Sequence, residues 1–221
     1  MIHPTAIITG KVELGERVVV EPYVIIRGPV RIEDDAYIGA HAMIGGPPNY
    51  RGKYPSPTSA SHEPAGVVIG SGACVREHSQ VHHGVEWQTV VGSDVLLMPM
   101  THVGHDCLVD NEATLGVGTI LGGFVMIAER ANLGLSVAVH PWILIGEASM
   151  VGVNSSVIRD VEPYAKVAGS PARLLGSNRH QDPRLPDWYD RESIRQPVWY
   201  RWEHWCDLRN DRRRKRGKPE L

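Results

Sequence analysis

The chain has 221 residues and a formal net charge of −2. This is enough for one sizeable core and a small appendage. The near-neutral balance supplies no basic field for nucleic acid, and no window approaches the roughly 20 apolar residues of a membrane span. The start, Met1-Ile2-His3-Pro4, lacks the basic region and apolar run of a signal peptide. Cys74, Cys107 and Cys206 are scattered and lack metal-ligand spacing, so they read as reduced thiols of a cytoplasmic protein.

From the first residues onward, branched aliphatics recur every six positions: Ile2, Ile8, Leu14, Val20, Ile26, Ile32, Ile38 and Ile44. The phase returns at Ile69, Val75 and Val81, slips by four residues, and then runs from Val91 through Leu97, Val103 and Val109 to Val157. A period of six does not fit the 3.6 of a helix. It is a multiple of two, so it predicts short strands with a turn after each. Gly often follows the aliphatic, as in Ile38-Gly39 and Val103-Gly104, and is expected to permit turns of unusual φ and ψ. Three strands close a triangular coil of 18 residues, and about eight coils stack at roughly 4.8 Å. Each buried aliphatic contributes about 1.5–3 kcal/mol, so the column supplies a solenoid core.

Two segments interrupt the repeat. The first, the loop at 46–68, carries Pro47, Pro48, Pro55, Pro57 and Pro64 with Arg51, Lys53 and Tyr54. A long loop in a regular solenoid is usually functional, and its basic and aromatic residues suit a sugar or phosphate-bearing ligand. The second, 85–91, includes Glu86-Trp87-Gln88-Thr89 and is expected to touch a partner subunit or a ligand. The β-helix domain is expected over 1–175. A Trp-rich cap with a basic tail follows over 176–221, with Pro197 opening a helix that carries Trp199, Trp202 and Cys206 on one face. The run Arg212–Arg216 reads as a solvated tail, with docking of an acidic carrier protein as the functional alternative.

The densest chemistry lies in Thr101-His102-Val103-Gly104-His105-Asp106-Cys107. The 18-residue register stacks His105 with Gly123 and Pro141. Allowing for the slip, it puts His83 one coil earlier, with His102 and His140 beside the column. Imidazole suits a general base near neutral pH, so His105 with Asp106 is a base and its helper. Gly123 leaves room for a substrate and could offer its N–H to an oxyanion. A histidine cluster could also ligate zinc.

The hexads resemble those of the left-handed parallel β-helix family, and the handedness follows from that resemblance. Gly92 to Met98 followed by His102 to Cys107 resembles the core motif of the UDP-N-acetylglucosamine O-acyltransferases of lipid A synthesis. His3 to Ile7, Lys53-Tyr54, Val75-Arg76-Glu77, His82-His83-Gly84 and Ala138-Val139-His140 are similar as well. The resemblance implies a homotrimeric acyltransferase with no bound cofactor. Its acyl group comes from an acyl carrier protein or coenzyme A thioester and goes to a sugar or nucleotide-sugar. It also implies His105, Asp106 and Gly123 as catalytic residues and His102 and His140 as ligand-binding; Lys53, Arg51, Phe124, His83 and Arg76 are further expected substrate-binding residues, and no metal is expected. A metal-dependent hydratase of the γ carbonic anhydrase type and a non-catalytic scaffold are the other readings. Phe124, Pro141 and Arg51 depart from the family pattern, which leads us to expect an acceptor other than UDP-N-acetylglucosamine. Gly169-Ser170-Pro171-Ala172-Arg173 resembles the ending of coenzyme A-dependent relatives.

Overall fold

A computed structural model describes residues 1–49, 64–178 and 206–215. Short strands of two to six residues stack into three parallel sheets that form the faces of a left-handed β-helix of about eight coils. Successive coils pair in strict register: Val103 beside Leu121 and Val139, Val109 beside Ile127 and Ile145, Leu97 beside Leu115 and Leu133. β-Branched residues fit these strands because their stiff side chains pack on a pleated surface. The six-residue column is the core. Ile26, Ile38, Ile44, Leu97, Val103, Leu121 and Leu133 are all fully buried. Ile2 and Ile8 of the first coil are the exceptions, exposed at the open end.

The turn chemistry differs from expectation. Gly39, Gly104 and Gly122 do not occupy the left-handed region. They are required by proximity, since a Cβ on Gly104 would sit 2.7 Å from the Leu121 carbonyl oxygen of the next coil. Positive φ falls two residues later, on side chains such as Asp106 (58°), Phe124 (63°) and Trp142 (72°). Coil closure imposes this conformation, and stacked neighbours stabilise it against its intrinsic cost.

Both interruptions leave the pairing intact. Val81 pairs with Val103, 22 positions on, against the 18 that separate Val103 from Leu121. Gly66, at the end of the first interruption, bridges Gly84 at the start of the second, and the Thr89 N–H donates to the Gly66 carbonyl at 3.1 Å.

Beyond the last coil an antiparallel hairpin, Ala165–Gly169 with Ala172–Ser177, extends one sheet. The expected helical face of Trp199 and Trp202, and Arg51 and Lys53 of the first loop, lie outside the described residues. A helix covers 206–215. The reading of Arg212–Arg216 as a solvated tail needs correction across 212–213. Arg213 is 9 % exposed, and Arg209 on the same helix is 3 % exposed and ion-paired with Asp160. Both Arg212 and Arg213 sit over tryptophan rings of the solenoid. The sequence alone offered them nothing apolar, but the folded corner does.

Candidate active site

The column predicted from the register is present. The Phe124 N–H donates to the His105 carbonyl at 3.0 Å, and the Trp142 N–H donates to the Gly123 carbonyl at 3.1 Å. His105, Gly123 and Pro141 therefore follow one another up a single corner. The His105 ring lies directly over Gly123, where an added Cβ would be 2.5 Å from Cε1 and Nε2. Any side chain at 123 would displace the imidazole. Among the described residues the Gly123 N–H has no hydrogen-bond acceptor.

His105 Nδ1 is 2.7 Å from Asp106 Oδ2. A carboxylate only accepts, so Nδ1 carries the hydrogen and Nε2 is the basic atom. Asp106 is wholly buried. Burial alone would raise its pKa. The hydrogen bond from His105 and those from the Trp87, Glu86 and Val85 N–H groups outweigh burial and hold it below the usual carboxylate range. Those three backbone bonds measure 2.8, 2.8 and 3.0 Å. Thr89 completes the grip by accepting from the Asp106 N–H at 2.9 Å. The four-residue slip in the repeat is thus the segment that wraps a buried anion. Sequence reasoning marked the segment and missed its job, because backbone amides leave no signature in residue identity.

The remaining residues divide. His102 stands on strand His102–Val103 with its ring 4.6 Å from that of His82. His82 was not among the predicted site residues. His83, which was, turns away. It is 5 % exposed, packs on Gly45, hydrogen-bonds to the Arg27 backbone, and burial pushes its pKa down to about 4. The choice of His83 rests on the 18-residue register with its four-residue slip, and that register holds, with Val81 opposite Val103; the strand is irregular only against the preceding coil, between Val81 and His82. His82 Nδ1 bonds the Pro47 carbonyl at 2.7 Å, and its buried Nε2 has no partner. Burial lowers the pKa of His102 to about 4, with smaller contributions from His82 and His105. Burial likewise lowers the pKa of His82, so this pair of rings is biased towards the neutral form.

His140 is exposed on the same corner, with Nδ1 at 3.0 Å from the Pro141 carbonyl oxygen. Phe124 is 3 % exposed. It is stacked 4.1 Å from Trp142 and edge-on to His105 and Trp87 at 5.1 and 5.8 Å, so it buttresses the imidazole from within. Arg76 does not join the cluster. It follows strand Cys74–Val75 in a different sheet and pairs with Glu77 at 3.1 Å. Cys107 is buried, donates from Sγ to the Gly122 carbonyl, and burial pushes its pKa up to about 12, which rules out a ready thiolate. Among the described residues, no three His, Cys, Asp or Glu side chains are placed to hold a metal ion, and no helix is long and apolar enough to cross a membrane.

The family model described as bacterial transferase hexapeptide (six repeats) matches residues 11–46. An acyl-[acyl-carrier-protein]–UDP-N-acetylglucosamine O-acyltransferase of Syntrophobacter fumaroxidans is 38% identical over 192 residues, covering 80% of this chain and 74% of that protein. The enzyme of the same name from Chlamydia caviae is 39% identical over 191 residues, covering 80% and 68%. Among solved structures, the UDP-N-acetylglucosamine O-acyltransferase of Moraxella catarrhalis superposes with a TM-score of 0.76 at 25% identity, covering 97% of this chain and 91% of that one. The Francisella novicida enzyme gives 0.71 at 25% identity, covering 80% and 71%.

Proposed function

Because the chain belongs to the family of UDP-N-acetylglucosamine O-acyltransferases and is a thioester-dependent acyltransferase, we propose that it acylates a hydroxyl or amine of a nucleotide-sugar, with His105 as general base. The observation that carries this reading is the imidazole held at Nδ1 by a buried carboxylate, with Nε2 above a glycine whose N–H has no other acceptor. His105 Nε2 takes the proton from the acceptor as its oxygen or nitrogen attacks the thioester carbonyl. Asp106 stabilises the imidazolium that forms. The Gly123 N–H faces the oxyanion of the tetrahedral intermediate. Collapse breaks the carbon–sulfur bond, and the proton passes from His105 to the departing thiolate. The thioester is already activated, so no covalent enzyme intermediate is needed.

His102, His82 and His140 line the same corner and bind acceptor polar groups. The donor is an acyl carrier protein thioester, as the relatives' names state for those enzymes. The working unit is a homotrimer. Support comes from a stripe of exposed apolar residues, Ile7, Tyr23, Met100, Ile120, Leu135 and Val153, 49–64 % exposed, beside the His102 face.

UDP-N-acetylglucosamine is not the preferred acceptor. Phe124 is engaged in the aromatic stack, and Pro141 has neither a side-chain amide nor an N–H, so at two places on the corner no side chain can bond a sugar hydroxyl. The test is a competition assay among nucleotide-sugars with one acyl carrier protein donor. We expect another nucleotide-sugar to be preferred. A kcat/KM for UDP-N-acetylglucosamine at or above about 10⁴ M⁻¹s⁻¹, exceeded by no other sugar, overturns the acceptor reading. Absence of transfer to every sugar overturns the function.

A further inference from the structure

The helix over 206–215 is seated on the catalytic corner by three arginines. Arg209 pairs with Asp160, whose other oxygen accepts from the Leu144 N–H at 2.9 Å. The Arg213 guanidinium lies 5.2 Å from the Trp142 ring centroid, and that of Arg212 lies 4.9 Å from the Trp87 centroid. Among the described residues, Arg212 Nε and Nη1 are buried without a hydrogen-bond partner, so at these two nitrogens the cation is held by the ring and by nearby charge rather than by donated bonds. Burying two guanidinium nitrogens without a hydrogen bond is costly, and a cap could be built without them. Trp87 is also the residue whose N–H binds Asp106 Oδ1.

We propose that Arg212 is a positioning residue for the acyl transfer: stacked on Trp87, it fixes the loop that grips Asp106, and its charge moderates the pull of Asp106 on His105. This rests on the reading of His105 as general base. Burial lowers the Arg212 pKa, while Asp106 and Cys107 act in the opposite sense, which places the cation within electrostatic reach of the carboxylate. Among the described residues, Asp106, His82 and His102 are charged or titratable groups that act on or beside His105, with Arg212 behind Asp106. Removing Arg212 leaves Asp106 less compensated. The imidazolium is then better stabilised, and the acid limb of kcat/KM moves to higher pH.

The full chain carrying Arg212→Gln, Arg212→Lys, Arg213→Gln or His105→Ala is assayed across pH 5–9 alongside thermal melting. Arg212→Gln is expected to lose about 10-fold in kcat, the low end for an outer-shell partner, with KM for the nucleotide-sugar little changed and the acid limb raised. Arg212→Lys keeps the charge and is expected to restore the limb but only part of kcat. Arg213→Gln, on the same helix but over Trp142, is expected to cost melting temperature without moving the limb. Should Arg212→Gln fail to fold, Arg212→Lys decides alone: a wild-type kcat in that variant overturns the proposal. So does an Arg212→Gln profile that matches Arg213→Gln. If His105→Ala remains active, the general-base reading has failed instead, whatever Arg212 does.

Discussion

At the residue scale, the function of His105 depends on one atom of its sequence neighbour. Asp106 accepts the hydrogen bond from Nδ1, and this leaves Nε2 over Gly123 as the basic atom of the proposed mechanism. His105→Ala should lower turnover by about 10²–10⁴, the ordinary range for a general base, and leave the coil intact. Gly123→Ala should cost a comparable share of activity by a different route, because its Cβ would collide with the ring at 2.5 Å. Steady-state kinetics with melting curves separates these losses from unfolding, and near-wild-type activity in either variant removes that residue from the mechanism. This pair was legible in the sequence because the 18-residue register is a ruler: 123 is 105 plus one coil. The same ruler puts His83 one coil before His105, but it does not give the direction of a side chain: His83 packs on Gly45, while the His82 ring meets His102.

His83 has a consequence of its own. Its folded pKa of about 4 lies below the 6.5 of an unhindered imidazole because burial disfavours the charged ring. As pH falls through 6.5 the unfolded chain takes up a proton that the folded chain refuses. Stability is therefore full above that point and is lost down to about pH 4, at about 1.4 kcal/mol per pH unit for each such group. His102 titrates in the same window with the same sign. Melting temperature should drop between pH 6.5 and 4, and His83→Gln should make the drop shallower. An unchanged slope would mean that the ring is solvated.

At the element scale, the short interruption over 85–91 carries more of the site than its length suggests. Three successive N–H groups converge on one carboxylate, and the chain can bend to do so only because Gly84 precedes them. A Cβ at 84 would sit 1.5 Å from the Trp87 carbonyl oxygen. Gly84→Ala must push the Trp87 peptide away and so loosen Asp106. We expect activity to fall by about 10-fold or more with the solenoid retained, read by assay beside circular dichroism. A fully active Gly84→Ala enzyme would show that the grip on Asp106 is dispensable. The sequence disclosed this element only as a break in phase. The C-terminal helix was equally hard to read: a run of arginines offers no apolar period, and the aromatic rings that receive it come from residues 87 and 142.

At the scale of the whole molecule, the hexad made the solenoid legible from Ile2 to Val157, since one buried aliphatic per strand sets strand, turn and register together. What one chain cannot satisfy is its own surface. Leu135 and Val153 are 49 % and 64 % exposed in successive coils, and Met100 at 63 % and Ile120 at 52 % continue the stripe towards His102. A contiguous exposed apolar stripe of this kind marks a surface that a second surface covers. Three copies around an axis parallel to the solenoid axis would bury the stripe on every subunit and leave no unmatched copy, as closed symmetry requires. They would also enclose the His102 and His82 face, which excludes water from the place where the acceptor is deprotonated. Sedimentation at micromolar concentration should give three times the 24.4 kDa chain mass. Leu135→Glu with Val153→Glu should place six carboxylates in the closed interface, release monomers of unchanged circular dichroism, and abolish transfer. A monomeric wild-type enzyme with full activity would refute the trimer and return the stripe to an unexplained feature of the coil.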